Sequence, residues 1–247
     1  MITHTEAIVF KSVDYQESSK IVTMFSREHG KIGLMVRGVK KPKSKFSGLI
    51  EVGNILDVVY YYKTSRSVQI LSEASYAVKN YKLRTDFEKM ATMTSAVELI
   101  NQLLHDNEVN EPLFEFTKRM LSWLNEADIH PPRIFPYLQI RLAAITGIGL
   151  QLDRSDTESE TNYLNLESGL VSGKSISSHS YKLTQNQYNY VLLALQAKSS
   201  KLFELPFNTG ELKALVETLD RYLKYHVEGL RDRKSDAIFE QILQESL

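Results

Sequence analysis

The chain has 247 residues, with 30 Lys or Arg against 30 Asp or Glu and no cysteine. That length supports one large domain or two smaller ones, and the missing thiols exclude a disulfide framework, a thiolate zinc site and a cysteine nucleophile. Zero net charge argues against a uniformly basic polyanion binder, but residues 1–80 hold 12 cations and 7 acids while the remainder holds 18 and 23.

Residues 6–80 read as β structure. Ala7-Ile8-Val9-Phe10 is a short apolar run, and residues 11–19 read as a polar connection. Residues 20–26 are rich in β-branched side chains, and Glu28-His29-Gly30 supplies a turn in which Gly30 is free to take positive φ. Residues 31–37 alternate: Ile32, Leu34 and Val36 share one face, and Lys31, Met35 and Arg37 the other. Lys40-Lys41-Pro42-Lys43-Ser44-Lys45 cannot extend that strand, because Pro42 lacks a donor and the charges repel. Six cations and no acid lie between Lys31 and Lys45. A loop of this kind suits a phosphate backbone, or it serves simply as a solvated connection. Residues 55–62 and 67–71, joined by a turn at 63–66, bring the strands to five. Five short strands suit a small closed barrel, an OB-fold or, on periodicity alone, an SH3-like one. Tyr15, Phe46, Tyr60, Tyr61 and Tyr62 lie here, and each ring either stacks on a base or fills the barrel.

Near residue 80 the period changes. Thr85-Asp86-Phe87-Glu88 matches a capping box with Thr85 as N-cap, followed by a helical stripe through Met90, Val97, Ile100 and Leu104. Asn110-Glu111-Pro112 opens a second helix, and Pro131-Pro132 a third that stops at Gly147 or Gly149. Short connections should make these three an antiparallel bundle. Residues 150–182 have no helical period. Within them, Tyr163-Leu164-Asn165-Leu166 and Gly169-Leu170-Val171 can pair as a hairpin, so the segment is either locally structured or mobile. Thr184-Gln185-Asn186-Gln187 is a second capping box, and Thr209-Gly210-Glu211 opens the longest helix. A last short helix spans 237–243. The expected architecture is α+β, a five-stranded barrel over residues 1–80 followed by an α-helical domain over 81–247.

No motif points to catalysis. Gly169-Leu170-Val171-Ser172-Gly173-Lys174-Ser175 has three residues between its glycines where a Walker A loop needs four, so its amides would not close around a phosphate. His4, His29, His105, His130, His179 and His226 show no metal-ligand spacing. The acids of the 150–182 segment, Asp153 and Asp156 among them, read as solvated charge. Nucleophile-elbow and dinucleotide fingerprints are absent. The chain therefore reads as a binding protein, not an enzyme, and no cofactor is expected. No apolar run approaches transmembrane length and Met1-Ile2-Thr3-His4 opens no signal peptide, so no membrane association and a cytoplasmic location are expected.

The runs Glu6-Ala7-Ile8-Val9-Phe10, 14–31 and Arg37-Gly38-Val39-Lys40-Lys41-Pro42-Lys43-Ser44-Lys45-Phe46 resemble the N-terminal signature of the RecO family of bacterial recombination mediators. The resemblance continues through Gly147-Ile148-Gly149-Leu150-Gln151-Leu152-Asp153 to Leu223-Lys224-Tyr225-His226 and Arg233-Lys234-Ser235, covering almost the whole chain. It implies an OB-fold followed by a helical domain that often carries a small zinc ribbon. It also implies binding to single- and double-stranded DNA, annealing of complementary strands and attachment to the C-terminal tail of single-stranded-DNA-binding protein (SSB). RecR is the implied partner in loading RecA, in the RecF pathway, at the nucleoid.

The chain departs from the family at the zinc ribbon. Where zinc-binding members have two Cys-x-x-Cys pairs, it has Ser155 and Glu158, then Ser172 and Ser175. Hydroxyls are poor zinc ligands at neutral pH, so the 150–182 excursion is expected to be a degenerate, cysteine-free ribbon without metal. Packing of Tyr163, Leu164, Leu166, Leu170 and Val171 would hold it, or else it is mobile. The candidate DNA-binding residues are Lys20, Arg27, Lys31, Arg37, Lys40, Lys41, Lys43 and Lys45. An acidic tail with an apolar end would meet Phe114, Phe116, Lys118, Arg119, Arg133 and Arg141, ring edges taking the side chain and a guanidinium the carboxylate.

Overall fold

Strands β1 (Ile2–Tyr15), β2 (Ser19–Ser26), β3 (Gly30–Val36), β4 (Ile55–Tyr61) and β5 (Val68–Val78) close into a barrel in the order β1-β2-β3-β5-β4. This computed structural model describes residues 1–128, 131–153, 161–196 and 199–245. β1 is antiparallel to both β2 and β4, whereas β3 and β5 run parallel from Gly33↔Val68 to Met35↔Ile70. That closure is the OB-fold arrangement and settles the choice between barrel types.

The polar connection expected after Phe10 is strand instead. Beyond a bulge at Val9/Lys11, β1 continues to Tyr15, paired with Ser19 at the hairpin tip. Lys11, Val13, Asp14 and Tyr15 are all exposed, so the alternation that betrays a half-buried strand is missing there. The barrel core comprises Ala7, Val9, Val22, Met24, Ile32, Leu34, Val36, Leu56, Val58, Tyr60 and Leu71, joined by Phe46, Leu49 and Ile50 from the β3–β4 connection. Three buried apolar anchors of about 1.5–3 kcal/mol each mean that this connection is no free arm. Gly30 has φ +67°, and a Cβ there would lie 1.9 Å from the Glu108 carbonyl oxygen, so the β2–β3 turn needs glycine twice over.

Helices α1 (Lys82–Thr85), α2 (Phe87–Leu103) and α3 (Glu111–Glu126) belong with the barrel in one compact unit, Met1–Ala127. Asp86, not Thr85, caps α2, accepting from the Lys89 amide at 3.0 Å. Thr85 is spent as the last residue of α1. α3 opens where Asn110-Glu111-Pro112 was expected to open a helix, with Asn110 as its cap. The buried Lys89 ammonium donates to the carbonyls of Asn125 (3.0 Å) and Ala127 (2.7 Å), satisfying acceptors that the end of α3 leaves open.

The second unit, Asp128–Leu247, begins with a 3-10 turn, Pro131–Arg133, and α4 (Ile134–Ile145). It then builds a small sheet from β6 (Gln151–Leu152), β7 (Asn162–Asn165), β8 (Leu170–Ser172) and β9 (Ser180–Leu183) in the order β6-β8-β7-β9. α5 (Gln185–Leu195), α6 (Ser199–Leu202), α7 (Thr209–His226) and α8 (Asp236–Glu245) follow. α4 packs with α5 and α7, so the expected three-helix bundle is divided between the units. Its residues Ile134, Phe135, Leu138, Ile140, Leu142 and Ala143 are all buried, as befits a helix at the centre of its own core. The hairpin around Glu167-Ser168 forms as β7–β8, its edges extended by β6 and β9, which are too short to show a period. Capping boxes start α5 at Thr184 and α7 at Asn208. Among the described residues no helix is long and apolar enough to cross a membrane.

Candidate nucleic-acid interface

At one end of the barrel the β1–β2 tip lies beside the start of the β3–β4 connection. The Lys40 amide donates to the Ser18 carbonyl at 3.1 Å. Successive turns then carry the chain through the basic run: Lys41 N to Gly38 O at 3.2 Å, Ser44 N to Lys41 O at 3.2 Å, and Ser47 N to Ser44 O at 3.1 Å. Phe46, Leu49 and Ile50 anchor these turns in the core, which holds the backbone while Arg37, Lys41 and Lys43 project into solvent.

The eight candidate cations fall into three groups. Arg37, Lys41 and Lys43 are exposed and have no acidic partner among the described residues. Lys40 and Lys20 share Asp14, at 2.9 Å and 3.8 Å, and the Lys40 hydrogen bond holds the Asp14 carboxyl below its usual range. Lys45 lies over the Phe46 ring and donates to the Ser72 carbonyl at 2.9 Å. All of these border the same end of the barrel.

Arg27 and Lys31 do not join them. The Lys31 ammonium donates to the carbonyls of Asn101 (3.1 Å) and Leu104, where α2 ends, with Asp106 at 3.3 Å. Arg27 is clamped by Glu6 at 2.7 Å, by Glu111 and by Glu115, over the Phe114 ring. Alternation rightly puts Lys31 on the outer face of β3, but a helix covers that end.

The tail-binding candidates are divided as well. Phe114, Phe116, Lys118 and Arg119 lie on α3 in the first unit; Arg133 and Arg141 lie in the second. Phe114 is fully buried against Phe25, and Lys118 is paired with Glu6. Phe116 is half-buried and Arg119 exposed. Arg133 donates to the Phe203 carbonyl at 2.9 Å, and the Arg141 Nε is buried with no hydrogen-bond partner among the described residues.

Glu6 is thus a hub that sequence reading overlooked. Burial would raise its carboxyl, but hydrogen bonds from Lys118 and Arg27 outweigh that and hold it below its ordinary 4.5. Such a carboxylate contributes stability above about pH 4.5, and the contribution drains away as pH falls through the lowered value. Glu6→Gln is expected to cost about 1 kcal/mol near neutral pH and to weaken this acid sensitivity. Urea denaturation at pH 7 and pH 4 checks it; an unchanged pH dependence would refute the role.

The rings sort by strand face. Tyr60 and Phe46 are core, and burial pushes the Tyr60 hydroxyl up to about 12 while it bonds Ser26 and His29. Tyr62 stacks on His29 with centroids 3.8 Å apart. Tyr15 and Tyr61 are exposed.

In the small sheet, the Ser172 hydroxyl donates to the Lys174 carbonyl at 2.9 Å and the Ser175 hydroxyl to the Ser177 carbonyl at 3.4 Å. Both are engaged with the main chain and do not suit a zinc ion; Ser155 and Glu158 lie outside the described residues. Leu164, Leu166 and Val171 are buried beneath the sheet, and Leu166 O meets the His226 ring at 2.8 Å. The Gly169–Ser175 run is β8 and its exit turn, not a strand leading into a helix.

A family model described as recombination protein O N terminal matches residues 1–78, and one described as recombination protein O C terminal matches residues 84–236. The DNA repair protein RecO of Salinibacter ruber is 37% identical over 174 residues, 69% of this chain and 64% of that protein. Its counterpart in Chlorobium limicola is 27% identical over 98% of this chain and 99% of its own length. That of Halalkalibacterium halodurans is 26% identical over 94% of each. With both family patterns matched in order, the first over the five-stranded barrel and the second over the helices and small sheet that follow, the chain belongs to the RecO family of DNA repair proteins.

Proposed function

We propose that the protein is a non-enzymatic mediator that binds single- and double-stranded DNA at the barrel and anneals complementary strands. The observation that carries this is the group Arg37, Lys41 and Lys43, exposed, free of acid partners among the described residues and held by anchored turns. Cations placed on a rigid scaffold neutralise phosphate, lower the repulsion between two strands and leave their bases to search for register. Family membership supports the rest of the reading. The mediator pairs with RecR and helps it load RecA on SSB-coated DNA, in the cytoplasm at the nucleoid.

Oligonucleotide binding and annealing, followed against salt, test the proposal. If the three free cations each neutralise one phosphate, log affinity for single strands falls with log salt at a slope near −2. If Lys20, Lys40 and Lys45 join them, the slope nears −4. Binding indifferent to salt, or no acceleration of annealing, refutes it.

A second reading, an adaptor for the SSB tail, is favoured by one feature of α3. Phe116, Arg119 and Trp123 stand at steps of three and four residues, Arg119 and Trp123 exposed, which puts rings and a guanidinium on one face. An acidic peptide with an apolar C-terminal residue and free carboxylate fits that face. Arg119→Ala is expected to weaken a labelled tail peptide about tenfold, near 1.4 kcal/mol, in a titration. Unchanged affinity removes α3 from this role.

A further inference from the structure

Lys20 and Lys40 are held by an acid where Arg37, Lys41 and Lys43 are left to solvent. Asp14 stands opposite Lys20 in the β1–β2 ladder, at the hairpin tip that the Lys40 amide joins through the Ser18 carbonyl. Its two oxygens are divided between the two ammonium groups, Oδ2 with Lys40 at 2.9 Å and Oδ1 with Lys20 at 3.8 Å. The carboxylate itself is open to water, its side chain 64% exposed, whereas those of Lys20 and Lys40 are 28% and 34% exposed. Two anionic oxygens, each facing one ammonium, is the arrangement that a phosphodiester offers through its two non-bridging oxygens.

Stability does not account for this placement. Ion pairs so open to water contribute little to folding. The turns that bear Lys40 are fixed without Asp14, by the Lys40–Ser18 main-chain bond and by Phe46, Leu49 and Ile50 in the core. Glu17, exposed at the same tip, has no ion pair among the described residues, so the hairpin does not require its acids to be paired. What Asp14 does set is the number of cations that meet an incoming anion. Arg37, Lys41 and Lys43 are open from the outset, and Lys20 and Lys40 only once the carboxylate gives them up.

We propose that Asp14 is an autoinhibitory carboxylate, a built-in stand-in for phosphate that withholds Lys20 and Lys40 from the anionic ligand, limits its affinity and speeds its release. This rests on the reading of the barrel as a DNA-binding module and adds a restraint on that module. A phosphodiester meets the three open cations first. To engage the other two it must displace Asp14, which then stays nearby as an uncompensated like charge. The strand is held by contacts that an internal anion can take back. That suits a protein that must let two strands search for register and then leave them paired.

Asp14→Asn removes the competing charge and keeps the shape. It is expected to bind an oligothymidine about tenfold more tightly than wild type near 0.1 M salt and to release it more slowly. The salt slope should steepen from about −2 to about −3.5, as five neutralised phosphates replace three. Glu17→Gln takes the same charge from the same tip and should leave affinity close to wild type. Adding Lys20→Ala and Lys40→Ala to Asp14→Asn should cancel the gain. In wild type, carbon-13 NMR should show the Asp14 carboxyl, held low by Lys40 in the free protein, titrating higher with the oligothymidine bound. That titration decides the matter even where a variant is unstable. Asp14→Asn binding as wild type does, a gain shared equally by Glu17→Gln, or an unmoved Asp14 titration overturns the autoinhibition alone. Weaker binding by Asp14→Asn also overturns it, by making Asp14 a positioning residue for the lysines. Failure of wild type and variant alike to bind overturns the DNA-binding reading beneath it.

Discussion

Reversing Arg37, Lys41 and Lys43 together to glutamate is expected to reduce affinity for single-stranded oligonucleotides by about two orders of magnitude near 0.1 M salt. Each lost phosphate contact is worth about 1 kcal/mol in a solvated site, and three give about 3 kcal/mol. The salt slope should flatten by about 2, because three phosphates cease to release counterions. All sequences should suffer alike, since phosphate carries no base information. Stability should hardly move: the three side chains are exposed and bond to no acid among the described residues. Arg27 and Lys31 supply the contrast. Their guanidinium and ammonium are spent on Glu6, Glu115 and the end of α2, so their removal is expected to lower stability. Fluorescence anisotropy beside urea denaturation separates the two behaviours. A triple variant that binds as wild type does would end the assignment of this loop.

Removing Arg233 is expected to have the largest effect on stability, a loss of about 3–5 kcal/mol for Arg233→Ala in urea denaturation. Its side chain is 5% exposed and grips the Asp220 carboxylate with both terminal nitrogens at 2.7 Å. Its Nε reaches Asp236 at 2.6 Å, and its guanidinium lies 4.7 Å from the centre of the Phe135 ring. Gln139, on α4, donates to the same Asp220 oxygen at 2.7 Å. Burial opposes the charge on Arg233, but the two aspartates outweigh it and raise its basicity. Truncation therefore strands a desolvated carboxylate against α4, and that penalty exceeds what the pair itself contributes. Arg233→Ala with Asp220→Asn should recover part of the loss. A single variant within 1 kcal/mol of wild type would show that water reaches Asp220 freely.

Much of the barrel was readable because its strands alternate. Residues 31–37 show the pattern cleanly, and the structure buries Ile32, Leu34 and Val36 as that pattern requires. The reading stopped short at β1 because its last residues are solvated on both sides and are held by pairing alone. Cation candidates were legible as a group, but not their division. Lys31 and Arg37 share a face by alternation, and only the third dimension sets one under α2 and leaves the other in water. β6 and β9 are held by neighbours in a sheet, and a strand of two to four residues carries no period of its own. Arg233 entered as part of a family resemblance; its role appears only when Asp220 and Gln139, far apart in sequence, arrive beside it.

The tether between barrel and helices also has an order in time. All five barrel strands have emerged by residue 78, yet the Lys31 ammonium waits for carbonyls 70 and 73 positions further on, and Glu6 waits for a lysine 112 positions away. During synthesis the barrel can close with these charges still hydrated, because water serves them until the later acceptors arrive. Closing such long loops is slow relative to pairing neighbouring strands, so locking of the helices onto the barrel is the late event in this unit. A nascent chain paused before residue 101 therefore carries a folded but unlatched barrel.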